Sequence, residues 1–495
     1  MNEFNYASPE SVGLPSGAVL EFLDFIRLVR LNLHSFILIK DEKVISEGYY
    51  APFNETDKKR LYSCTKSIAA LAVGKLIGDG LAELEKPIIS YFPEIECTDE
   101  RLRRTTVEDV LKMAVPLSVN PYCVNPGSDA DAVTTDRPWV ADFFSGCGVS
   151  DKEHGHVFNY NSHGSYILGA LVKKLTGLDF LEYLRPVFDK IGVSRDIECV
   201  KSPEGIAWAS SGALMTTRDF ARIGLLLLNK GEYHGEELLP RDFMEKATSK
   251  LIDNFFEPDA PSRTSGYGYQ IWVEPHGYGM HGLLGQLVFC FPEKNFLFVC
   301  NSLEPKKKNY QEKLYFCAEK LYASIKDAPL SEGEDYVRLR TALKGLKIDR
   351  AFGAAHSPLE GKVGKKRYAL SDNKAGFSWF ELEFGEDTGV LRYEKRGEVK
   401  ELIFGYGRYA DTRFPETKYY GMVMNKPSGK EPRTLVTASW TMENKLLIIS
   451  DISDTLLGTL SMTFEFWDDK VALNMVKVGE GNFGEYQGLY FGKQE

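Results

Sequence analysis

No apolar run in these 495 residues approaches the roughly 20 that a membrane-spanning helix requires, so a membrane is not an expected partner. Basic residues are outnumbered, 60 Lys and Arg against 70 Asp and Glu for a formal net charge of −10. That argues against nucleic acid as the main partner. None of the eight cysteines (64, 97, 123, 147, 199, 290, 300 and 317) stands in C-x-x-C spacing, and several sit in apolar runs such as Val288-Phe289-Cys290 and Phe298-Val299-Cys300. They read as reduced core residues, which excludes a disulfide framework and a zinc site. The opening Met1-Asn2-Glu3-Phe4-Asn5-Tyr6 has no basic segment leading into an apolar one, so a cytoplasmic protein is expected. There is no internal repeat or low-complexity tract. What is present, 43% hydrophobic and 26% charged residues, is the balance of a globular protein of about two or three domains that acts on small molecules.

The most informative stretch is Arg60-Leu61-Tyr62-Ser63-Cys64-Thr65-Lys66-Ser67, followed by the apolar Ile68–Ile77. The run predicts a buried helix, with Ser63 and Lys66 one turn apart on one face of its start. A serine there has backbone N–H groups and the positive end of the helix dipole beside it, which suits a developing oxyanion. Ser63 is the nucleophile candidate.

Around this helix the pattern alternates. An amphipathic helix is expected over residues 15–31, then a hairpin of Ser35–Ile39 and Lys43–Tyr49 turning at Asp41-Glu42. Residues 63–250 read as mainly helical, with Gly-, Pro-, Asn- and Asp-rich loops at 116–136 and 145–161. Strands return at Tyr267–Val273, Gln286–Phe291 and Phe296–Cys300, and a helix at 309–326 comes after them. Early and late strands sharing one sheet with helices between them is an α/β arrangement. Residues 331–358 read as a linker with a short helix. From 359 to 495 some eight to ten alternating runs predict a β-rich barrel or sandwich, its aromatics serving core packing ahead of a ligand cup. The segment could cover the site and select substrates, pack alongside, or mediate a homodimer.

S-x-x-K alone is a weak signal. Ser371-Asp372-Asn373-Lys374 repeats it, but there it precedes Ala375-Gly376 and reads as a turn. Ser63–Lys66 differs in having two companion motifs downstream: Tyr160-Asn161-Ser162 in a loop entering a helix, then Met280-His281-Gly282-Leu283 at a glycine-rich strand. Serine–lysine, tyrosine loop and glycine strand in that order resemble the serine β-lactamase and penicillin-binding-protein superfamily. Similarity is closest to the class C-like branch of esterases and 6-aminohexanoate-dimer hydrolases. It extends to Gly80-Leu81, Tyr91–Glu94, Ser210–Asp219 and Gly231–Tyr233, so a β-lactamase-like hydrolase domain is expected over 1–330.

The resemblance implies roles residue by residue. Ser63 matches the acylated serine, Lys66 the lysine that takes its proton, and Tyr160 a proton carrier to the leaving group. Burial and the helix end favour a neutral Lys66. Backbone N–H groups of Ser63 and Leu283 match the oxyanion hole, and Ser162, Met280, His281 and Gly282 the substrate-binding positions. Ser162 stands where the family usually has asparagine, and Met280 where it has a lysine that binds an antibiotic's carboxylate; a one-residue shift would put His281 there instead. The expected function is hydrolysis of a carboxylic ester or amide through an acyl-enzyme, with no metal or organic cofactor. The alternatives are a β-lactamase or D-amino-acid peptidase, and a catalytically inactive ligand- or partner-binding protein. His154, His156 and His163 read as solvated loop histidines, since no cysteine or carboxylate stands at ligand spacing. Gly266-Tyr267-Gly268-Tyr269 reads as the entry to a strand, with no phosphate-loop lysine.

Overall fold

The computed structural model describes residues 4–117, 138–145, 153–254, 265–304, 309–348, 352–419, 421–424, 426–479 and 483–495. The described residues up to 346, with 422–424, form one compact unit, and the others from 347 onward form a second.

The first unit is built on a seven-stranded sheet, ordered Asn5–Tyr6, Lys43–Tyr49, Leu33–Lys40, Phe296–Ser302, Gln286–Phe291, Gly277–Gly282 and Trp272–Glu274. Early and late strands therefore meet, with Leu33–Lys40 antiparallel to Phe296–Ser302. Asp41 and Glu42 both take positive φ (51° and 60°), the twist of a two-residue hairpin turn. The strands Gln286–Phe291 and Phe296–Ser302 are buried along their whole length because helices cover both faces. Gly224 of the Thr217–Leu228 helix lies against Val288 and Leu297. Their neighbours Phe289 and Phe298 point the other way, to Tyr315 of the Tyr310–Ser324 helix and Phe22 of the Ser16–Val29 helix.

Between these halves lies the Cys64–Gly78 helix, buried from Cys64 through Gly74 and packed on the Ser162–Thr176 helix. Among the described residues no helix is long and apolar enough to cross a membrane.

The second unit is a nine-stranded barrel running from Arg367–Leu370 to Gly488–Gln494. Eight neighbour pairings are antiparallel, and an odd strand count then forces the closing pair to be parallel. That pair is Glu398–Tyr406 with Arg433–Met442, meeting at Gly405↔Thr437 and Tyr406↔Ala438. A tenth strand, Ala410–Arg413, adds to the latter. Ser371–Lys374 lies in the turn between two barrel strands.

Two expectations are corrected. Tyr267–Val273 is not one strand and Gly266-Tyr267-Gly268-Tyr269 does not enter one, since only Trp272–Glu274 joins the sheet. The backbone is turned out of extended form at Gln270, where φ is 58° and the N–H donates to the Leu111 carbonyl. His163 is not a solvated loop residue: it is fully buried in the first turn of the Ser162–Thr176 helix. Its Nε2 lies 2.7 Å from the Trp139 carbonyl oxygen. Of the loops expected at 116–136 and 145–161, residues 118–136 and 146–152 lie outside the described residues.

Burial lowers the His163 pKa from 6.5 to about 4. Between those values the unfolded chain binds the proton that the folded one refuses, so stability falls as pH drops through this window. The loss is on the order of 3 kcal/mol. His163→Gln should flatten that part of the acid limb in urea titrations at successive pH values. An unchanged acid limb would refute the assignment.

Candidate active site

Ser63 caps the buried helix at its N-terminus, half exposed, and its side chain makes no capping bond. Lys66, one turn on, is 1% exposed. Its Nζ donates to Ser63 Oγ at 3.2 Å and to the Ser210 carbonyl at 2.6 Å. The same ammonium lies 5.2 Å from the centre of the Tyr160 ring. Serine, lysine and tyrosine, drawn from two distant parts of the sequence, thus come together around one buried nitrogen.

The strand Gly277–Gly282 approaches the same helix start. A Cβ at Gly282 would stand 2.3 Å from the Leu61 carbonyl oxygen and 3.1 Å from Cys64 Sγ, so only glycine lets the strand this close. Cys64 donates its thiol to the Gln286 carbonyl at 3.1 Å. Leu283 comes next in the turn, where Leu284 and Gly285 take positive φ. The Gln286 amide holds the Leu283 carbonyl at 3.3 Å and the Ser302 carbonyl at 2.7 Å. Tyr62, just before Ser63, is itself left-handed at φ 49°, a strained conformation for a non-glycine residue.

The remaining expected site residues fall in different places. Ser162 opens the helix half-buried, while Asn161 caps it by accepting the Gly164 N–H at 2.9 Å. Met280 is fully buried. The His281 ring turns toward Glu274 and Gln311 and stacks on Trp272 with centroids 5.3 Å apart. Of the three histidines considered together, His154 pairs with Asp109 at 2.9 Å and His163 lies in the core.

Four residues that shape the site escape the sequence motifs. Ser210 supplies the carbonyl beneath Lys66. Arg60, 1% exposed, donates to the Ser211 carbonyl at 2.9 Å and lies over the Tyr62 ring. Gln270 accepts from Ser67 through its backbone carbonyl and from Ser165 through its side chain, both at 2.6 Å. Trp272 stacks on Tyr160, centroids 5.5 Å apart. Arg60 stands within the stretch around the serine, but its role, like those of the other three, depends on partners distant in sequence.

The beta-lactamase family model matches residues 33–315, more than half of the chain. The chain therefore belongs to the beta-lactamase family, and is a serine hydrolase of the β-lactamase and penicillin-binding-protein superfamily. Within that class it is similar to the 6-aminohexanoate-dimer hydrolase of Paenarthrobacter ureafaciens, 25% identical over 276 residues, with 52% of this chain and 69% of that protein covered. A Bacillus anthracis structure provisionally named a 6-aminohexanoate-dimer hydrolase shares the fold at TM-score 0.52 and 19% identity, over 65% of this chain and 88% of its own. Another, provisionally named a beta-lactamase, from Bacteroides dorei DSM 17855, does so at TM-score 0.50 and 14% identity, over 63% of this chain and 98% of its own.

Gly282→Ala should force the strand away from Leu61. A displacement near 1 Å in such a site costs about 10²-fold in rate, so fluorophosphonate labelling of Ser63 should slow by about that factor. Labelling at the unaltered rate would show that the close approach is irrelevant to the serine.

Proposed function

We propose that the protein hydrolyses a carboxylic ester or amide through an acyl-enzyme on Ser63. The observation that carries this is the Lys66 nitrogen placed between Ser63 Oγ at 3.2 Å and the Ser210 carbonyl at 2.6 Å, with Tyr160 beside it. In its neutral form that nitrogen can accept the serine proton as Oγ attacks the substrate carbonyl. The N–H groups of Ser63 and Leu283 then hold the oxyanion, each such donor contributing about 3 kcal/mol in the transition state. Collapse of the tetrahedral adduct breaks the bond to the leaving alkoxide or amine, which takes the proton through Tyr160. Water enters, gives its proton to the same pair of side chains, and releases the acid and free Ser63.

An ester or linear amide is favoured over a β-lactam because fully buried, uncharged Met280 stands where the lysine would bind an antibiotic's carboxylate. The name of the Paenarthrobacter relative points the same way, toward an oligomer of 6-aminohexanoate.

Incubation with a fluorophosphonate probe, followed by peptide mass spectrometry, should find the label on Ser63. Ser63→Ala should abolish turnover of p-nitrophenyl esters and aryl amides, Lys66→Met should cost about 10³-fold and Tyr160→Phe about 10²-fold. Label on another serine would overturn the assignment. Turnover of a chromogenic cephalosporin, lost in Ser63→Ala, would move the substrate class to β-lactams. Failure of both labelling and the whole substrate panel would favour a ligand-binding protein on this fold.

A further inference from the structure

Behind Tyr160 lies a group of side chains that acyl transfer does not use. The edge strand Trp272–Glu274 pairs with its neighbour so that Trp272 faces Gly279 and Glu274 faces Gly277. His281 is two residues beyond Gly279, hence on the same face and diagonal to Trp272. With no side chain at either glycine, the indole reaches the imidazole and lies nearly parallel to it, 9° between planes at 5.3 Å. Trp272 also stacks on Tyr160 at 5.5 Å and 29°. The phenol ring in turn has the Lys66 ammonium 5.2 Å from its centre.

The imidazole has a polar side chain at each nitrogen. Nε2 is in contact with the Glu274 carboxylate, and Nδ1 meets the side-chain amide of Gln311 from the Tyr310–Ser324 helix. Glu274 is 4% exposed, and burial pushes its carboxyl well above the ordinary carboxylate range. Tyr315, from the same helix as Gln311, is the other titratable group coupled to that carboxylate, and its hydroxyl is pushed up by burial first and then by Glu274. Burying a carboxylate beside an imidazole is a poor way to add stability, because apolar residues of equal volume commonly do as well or better. What such a pair adds is a ring that cannot turn.

We propose that Trp272 is a positioning residue for Tyr160: the His281–Glu274 pair fixes the indole, and the indole holds the phenol ring against the Lys66 ammonium. The inference rests on the reading of Tyr160 as a proton carrier. The aromatic surface is what matters, so phenylalanine should substitute for tryptophan and leucine should not.

The test is a double-mutant cycle on the full chain, reading the acylation burst with p-nitrophenyl butyrate. Trp272→Leu should slow acylation by about 10- to 100-fold with little change in KM, and Trp272→Phe should recover most of the rate. In a Tyr160→Phe background Trp272→Leu should have almost no further effect, because the residue it positions no longer carries a proton. His281→Asn, which leaves the indole but removes the ring it lies on, should give the same non-additivity and carries the cycle should Trp272→Leu fail to fold. Multiplicative losses, or a phenylalanine variant as slow as leucine, would overturn the stack while leaving the acyl-transfer reading intact. A Tyr160→Phe enzyme of full rate would overturn both the stack and the reading of Tyr160 as a proton carrier.

Discussion

The site is organised by the need to satisfy a buried lysine nitrogen. Lys66 is almost fully removed from water, and a polar group left there without a hydrogen bond would cost about 1–3 kcal/mol. Beside Ser63 Oγ it takes the Ser210 carbonyl, and that carbonyl is available only because the chain turns tightly there. Gly212 and Ser211 both donate their N–H groups to the Trp208 carbonyl, at 2.8 and 3.1 Å. Arg60 clamps the turn from outside through the Ser211 carbonyl. It belongs to the two-residue strand Lys59–Arg60, which pairs with Leu214 and Met215. The segment leading to the serine and the segment supporting the lysine are therefore tied into one hydrogen-bonded framework, and neither could shift without breaking the other.

A second constraint sets the tyrosine side. Gln270 is buried in a left-handed conformation that few residues accept. Its compensation is complete use of its polar groups. The amide donates to the Val110 and Leu111 carbonyls, both at 3.0 Å, while the side-chain and backbone oxygens take the hydroxyls of Ser165 and Ser67. Ser67 belongs to the helix of Lys66, and Ser165 to the helix just after Tyr160. The kink that keeps 267–271 out of the sheet is thus the same feature that sets these helices side by side.

What is legible in the sequence is local. Ser63 and Lys66 announce themselves by spacing and an apolar helix, the 33–49 hairpin by its period and turn, and the two late strands by the apolar runs Leu287–Phe291 and Phe296–Cys300. Arg60, Gln270, Trp272 and Glu274 stay hidden because what each does depends on distant partners. Gln270, for instance, touches Ser67 and Val110, 203 and 160 residues away. His163 reads wrongly because Tyr-Asn-Ser-His-Gly has the composition of a loop. Asn161 as an N-cap ahead of Tyr166-Ile167-Leu168 is the clue that a helix begins there.

The barrel's aromatics raise the remaining question of whether its interior could hold a ligand. Tyr368 and Phe380 stack at 5.2 Å, Phe377 and Tyr393 at 4.5 Å, and both pairs belong to one continuous core with Phe464 and Trp440. The polar group packed there is satisfied from within: Lys395 pairs with Glu416 and Glu485, and its ammonium lies 4.0 Å from the centre of the Tyr486 ring. A ligand cup needs apolar walls with unfilled space and polar atoms left to bind; the Tyr368 and Tyr406 hydroxyls are buried without a partner among the described residues, but the rings that carry them pack into this core. Leu489 and Phe491 of the last strand stand exposed. On the ester and amide reading, the hydrolase unit places an uncharged, buried Met280 where a lysine would meet a lactam's carboxylate.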